Sequence, residues 1–184
     1  MDFEYYVKYF SYLEKRLIGT QKYVAFEKEN IKTFSLEYAS IINDCCGIIN
    51  GFCFELCRED NADKNELELN DYISYFDRNN YKLDFEVYFL KFFIKPWEKL
   101  KNTEYTRTPQ WWIDYNKIKH SGKPNFQKAT LKNAISCLAG LYVLLFYYDY
   151  LQIIKHMNDE DYQSLEISDT FGITFVDSPV SWKC

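Results

Sequence analysis

Asn116, Lys119 and His120 lie within the hexapeptide "YNKIKH", and His120 is one of only 2 histidines in the chain. On a helix, Asn116 and His120 are one turn apart and share a face, with Trp112 one turn further back. Trp111, Tyr115 and Ile118 or Lys119 form the neighbouring stripe. A positive charge at a helix C-terminus is favoured by the helix dipole, which suits the Lys119-His120 pair. These residue types fit one reaction. An imidazole acts as general acid or base on a ribose 2′-hydroxyl or a leaving 5′-oxygen, while a lysine and an asparagine amide hold the phosphate as charge develops. His120, Asn116 and Lys119 are therefore the candidate catalytic residues. Tyr115, Lys117 and Trp112 are candidate substrate contacts, and Glu37 or Asp44 is a candidate to orient the site. No metal and no cofactor is required. The alternative reading of the same residues is a short aromatic helix docked in the core, with its polar end in solvent.

Other catalytic patterns are absent: there is no G-x-S-x-G, no glycine-rich phosphate loop and no H-E-x-x-H. A Cys-His nucleophile pair has the residue types it needs, but no spacing points to it. His156 follows Lys155 and is explained as a cation near a helix C-terminus.

The 184 residues suit one domain with a small appendage and can bury a core without staples. A hydrophobic content of 47%, with 17 Tyr and 15 Phe, describes a packed globular chain. The net charge of −5 gives no general attraction to nucleic acid, so such binding needs a local basic patch. The 6 cysteines follow an N-terminus, "MDFEYYVKYF", that is charged throughout and has no secretory-signal pattern. Reduced thiols in the cytoplasm are the expectation. The spacing C-C-x6-C-x3-C lies in helical periodicity with no nearby histidine. Buried apolar thiols are therefore preferred over a zinc site.

The elements that must position "YNKIKH" follow from periodicity. Phe3, Tyr6, Val7, Phe10, Leu13 and Leu17 mark an amphipathic helix stopped by Gly19. A second helix is predicted from about Thr33 to Cys57, with Gly47 and Gly51 inside it to admit a close neighbour. Residues 58 to 70 read as a charged surface loop, ending at Asn70 as the cap of a short helix. Leu83, Phe85, Val87 and Phe89 alternate as a strand, although Phe89, Phe92 and Phe93 also suit a helix. Pro109 opens a motif helix that Gly122 and Pro124 stop. Asn125 is then placed to cap a last helix over about 126 to 156. That helix contains the run "AISCLAGLYVLLFYYDYLQII", long enough for a membrane span but interrupted by Asp149 and without strongly basic flanks. A buried central helix is the preferred reading. The tail offers a hairpin around "TFG".

Two segments carry a resemblance to a known family: "NIKTFSLEYASIINDCC" and "PQWWIDYNKIKHSGKPNFQKATLKNAISCLAGLYVLL". Their W-x2-Y-N-x2-K-H turn leading into a final helix resembles the "YN-x-x-KH" subgroup of the HEPN superfamily of small helical bundles. The resemblance implies metal-independent RNA cleavage in a homodimer, in a prokaryotic toxin or phage-defence setting. It places the motif histidine on His120, the polar residue on Asn116 and the motif arginine on Tyr115, which cannot supply a fixed cation.

The expected architecture is thus mainly α, an HEPN-like bundle of four to six helices with minor β in the middle segment or tail. Residues 1–156 are expected to form the bundle and 157–184 a tail that offers a β hairpin to pack on it. Two functions remain open. One is RNA cleavage or RNA and nucleotide binding. The other is a non-catalytic dimeric interaction module that pairs with an operon-encoded protein. Neither involves a membrane.

Overall fold

The computed structural model describes residues 1–61, 64–101, 107–121, 123–156 and 166–174, and their architecture is mainly helical with one small sheet. Helix α1, Phe3–Gly19, starts where Asp2 accepts the Tyr5 amide and buries Tyr6, Val7, Phe10, Leu13 and Leu17 along one stripe. Helix α2, Leu36–Cys57, begins at Ser35, whose hydroxyl accepts the Tyr38 amide at 3.1 Å. This start is later than Thr33. Residues 31 to 35 are committed elsewhere: the Leu131 and Lys132 amides donate to the Thr33 and Ile31 carbonyls, and Phe34 bridges Thr130. A backbone tied to the entry of the last helix cannot also wind into α2.

Helix α3, Leu69–Arg78, is capped from Glu68 rather than Asn70: Asp71 reaches back and accepts the Glu68 amide at 2.9 Å. Strands β1, Glu86–Phe89, and β2, Phe92–Ile94, form a hairpin that resolves the ambiguous phenylalanines as strand. Leu90 turns between them with φ 53°, a left-handed conformation that L side chains adopt at a cost. Helix α4, Gln110–Ser121, carries the motif, and helix α5, Leu131–Lys155, follows. The cap of α5 is Thr130, which accepts the Asn133 amide. Residues 123 to 128, including Asn125, wind as a separate 3₁₀ segment instead.

The tail forms one strand, β3, Phe171–Thr174, antiparallel to β1 in the sheet order β2-β1-β3. Phe171 and Gly172 of "TFG" lie inside that strand and not in a turn, and the described part of the tail pairs with a distant partner. Phe171 stacks on Phe89 with ring centroids 4.3 Å apart, and the buried carboxylate of Glu14 accepts hydrogen bonds from Ser168 and Thr170. The remainder of the expected hairpin, residues 157–165 and 175–184, lies outside the described residues.

At the centre, α5 packs against α1, α2 and α4, and Leu138, Ala139 and Leu141 are completely buried. Both α2 and α5 are long and apolar enough to cross a membrane, and 67% of the most apolar window of α5 is buried inside the domain. The close helix approach occurs at neither Gly47 nor Gly51. It occurs at Gly140, where an added Cβ would stand 2.9 Å from the Trp111 ring. Side chains of this size contribute about 1.5–3 kcal/mol each on full burial, so the centre is where most of the stability arises.

Candidate functional site

Helix α4 is anchored by its aromatic side. The Pro109 carbonyl accepts the Trp112 and Ile113 amides and opens the first turn. Trp111 donates from Nε1 to the Pro96 carbonyl at 2.9 Å and meets Trp97 edge-on at 5.2 Å. Trp97 in turn donates to the Gly140 carbonyl at 3.0 Å. Trp112 packs edge-on against Trp111 and Tyr115, and all three rings are buried. Trp112 and Tyr115, expected as substrate contacts, are therefore held mainly by neighbouring side chains.

The other side of α4 is open. Asn116, Lys117, Lys119 and His120 are all exposed. The Lys119 ammonium lies over the Tyr115 ring, 5.7 Å from its centroid, so the turn assigned to the motif arginine presents a lysine above a tyrosine. Asn116 and His120 sit on one face, one turn apart, as the spacing requires.

Glu37 and Asp44 are brought together, but on Arg16. Arg16 Nε donates to Glu37 at 2.9 Å, Nη1 to Asp44 at 2.7 Å and Nη2 to Ser40 at 3.0 Å, while the guanidinium covers Tyr12. Burial works against the cation, yet the hydrogen bonds that Asp44 and Glu37 accept from it outweigh that cost and hold Arg16 above the ordinary arginine pKa. This clamp joins α1 to α2. Among the described residues, no hydrogen bond or ion pair links Glu37 or Asp44 to Asn116, Lys119 or His120.

Cys45, Cys46, Cys53, Cys57 and Cys137 are free and buried, and Cys184 lies outside the described residues. Burial pushes the Cys57 thiol up to about 12 and raises Cys53 well above its usual value, so neither is a ready nucleophile. Cys137 donates its thiol to the Ala134 carbonyl at 3.2 Å. No group of three His, Cys, Asp or Glu side chains among the described residues is arranged to hold a metal ion.

A second feature borders α4 on the opposite flank. A cleft of about 1150 Å³ is walled by β2, the Pro109 end of α4, the start of α5 and the connector before α2. Gln110, Trp111 and Asp114 face it; none of Asn116, Lys119 and His120 does. At 3.6 residues per turn the two sets lie roughly 170° apart around the helix. Seven lysines line this cleft against only Glu98 and Asp114. Lys91 pairs with Glu27, Lys95 with Glu86 at 3.9 Å, and Lys128 with the buried Asp114 at 3.2 Å. Asp114 Oδ2 also accepts from Asn133 at 3.1 Å, whereas Oδ1 lies within ion-pair reach of Lys128 without hydrogen-bond geometry. Lys28, Lys32, Lys99 and Lys132 form no ion pair among the described residues. The sequence patterns do not point to this cleft; its local sign is the four-residue lysine spacing of Lys28 and Lys32, of Lys91, Lys95 and Lys99, and of Lys128 and Lys132.

No protein-family profile, curated protein or solved structure matches this chain.

Proposed function

We propose that this chain is an HEPN-like, cytoplasmic RNA-handling domain of a toxin or phage-defence type, with its reactive groups on the outer face of α4. The single observation that supports this reading is the division of α4. Its tryptophans and Tyr115 are locked into the core, which leaves Asn116, Lys117, Lys119 and His120 uncovered on a rigid support. In this reading the His120 imidazole takes the proton of a ribose 2′-hydroxyl as that oxygen attacks phosphorus. The bond from phosphorus to the 5′-oxygen breaks, and the leaving oxygen is protonated by water or by His120 of a second copy in a two-fold dimer. Lys119 and Asn116 hold the phosphate oxygens where charge develops, and no metal is called on. The test is an RNase and growth-toxicity assay of wild type against His120→Ala. Cleavage is expected to fall by about 10²-fold or more. Equal rates would sink the reading.

A second reading is a non-catalytic dimeric module that docks an operon-encoded partner. The observation that favours it is Tyr115, buried at the turn where the resemblance calls for arginine. Sedimentation that shows a dimer, together with RNase activity indistinguishable between wild type and His120→Ala, is its expected signature.

A further inference from the structure

We propose that the lysine-lined cleft beside α4 binds the sugar-phosphate backbone of a single-stranded nucleic acid, at a site separate from the His120 end of the helix. The inference stands on the cleft's own charge, size and lining and does not require His120 to be catalytic. In a chain with net charge −5, ammonium groups from three separate segments converge on one concavity. Their mutual repulsion is unfavourable unless an anion answers it. Among the described residues, three of the seven lysines are matched by carboxylates, while Lys28, Lys32, Lys99 and Lys132 are not. The open charge is thus spread along the cleft instead of being concentrated at one phosphate-sized point.

Two further features select among anions. The volume of about 1150 Å³ lies above the usual range of roughly 300–1,000 Å³ for small-molecule pockets, which favours a chain over a mononucleotide. Phe93 lines the cleft with 67% of its surface exposed, a costly placement that a stacked base would relieve. An inorganic polyphosphate would use the lysines and leave that ring idle. A duplex has its base faces already stacked and could not offer one.

The deciding experiment is fluorescence anisotropy on the full chain with labelled oligouridylate, oligothymidylate and a duplex of equal length. A variant with Lys28, Lys32, Lys99 and Lys132 all changed to Gln is compared with one in which Lys8, Lys15, Lys22 and Lys155 are changed to Gln. The two carry the same charge change, and circular dichroism confirms that both fold. A milder Lys28→Gln, Lys32→Gln pair backs up the first. The cleft variant is expected to lose about tenfold or more in affinity. Its salt dependence should also flatten by about 0.7 in log-log slope per phosphate contact removed. The control variant should stay within about threefold of wild type, since long-range charge alone is screened. Phe93→Ala should weaken binding by about fivefold or more. Oligothymidylate carries no 2′-hydroxyl, so its binding is read independently of the cleavage reading. Equal weakening in the cleft and control variants would overturn the proposal. Duplex binding as tight as single-strand binding would do the same. So would tripolyphosphate displacing the oligonucleotide at matched charge while Phe93→Ala has no effect.

Discussion

Arg16 and the cleft lysines are the same kind of charge in opposite circumstances. Arg16 is largely covered, and its donors meet Glu37, Ser40 and Asp44 within 3.0 Å. The cleft gathers more cations, on the flexible stems of lysine, and leaves four without a carboxylate among the described residues. The planar guanidinium fork suits a fixed, multidentate bond between helices, whereas an ammonium on a flexible stem adapts to a ligand. The difference teaches that positive charge in this acidic domain has two uses, one that joins helices and one that is left available.

The strongest way to break that comparison is to remove what supports the cleft and not the clamp. Trp111→Ala deletes a buried ring seated against Gly140 and Trp97, and it should cost about 3–5 kcal/mol in urea unfolding. Arg16→Met tests the other side. It leaves Asp44 and Glu37 without their cation and should cost about 1–3 kcal/mol, with oligonucleotide affinity unchanged. If affinity falls with Arg16, the two sets of cations are not separate in use. Leu90→Gly relieves roughly 1–2 kcal/mol of left-handed strain next to Lys91 but adds roughly 0.5–1 kcal/mol of unfolded-state entropy, so it should raise stability by at most about 1 kcal/mol, read as a higher Tm, without altering the cleft. The smallest effect concerns acid. The Arg107 hydrogen bond holds Asp77 below the usual carboxylate pKa, so its contribution is present above that ordinary value. It is lost as pH falls through the depressed one. The pair is partly exposed, so the loss is slight and should shrink further in high salt. Arg107→Gln should flatten that acid limb in a pH series of thermal melts.

The long helices were legible because their apolar residues recur at helical spacing: Phe10, Leu13 and Leu17 in α1, Ile41, Cys45 and Ile49 in α2, all completely buried. Their entry points were less legible. Ser35 and Thr130 are caps because Thr33 and Leu131 pair across a sequence gap of about a hundred residues, and no local window contains both partners. The same cause hid the true partner of the tail: the strand character around Phe171 was visible, but β1 as its neighbour was not. Asn116, Lys119 and His120 were read from types and spacing alone, and they do share the open side of α4. Glu37 and Asp44 are candidates from the sequence to orient that site, but the structure engages both elsewhere. Arg16, which holds them, sits on a different helix. The cleft is the least legible feature, since its lysines come from three distant stretches of chain, and the four-residue spacing within each gives no sign that the stretches meet.

The pairing of β1 with β3 has a consequence for synthesis. Strand β1 is the middle strand of the sheet, yet its second neighbour emerges roughly eighty residues later. At about 5–20 residues per second, one side of β1 waits roughly 4–16 s on the ribosome for its partner. During that interval its unpaired backbone and the Phe89 ring form an exposed edge of the kind that recruits other chains. The nascent domain therefore has a window of aggregation risk that closes only when Phe171 stacks on Phe89.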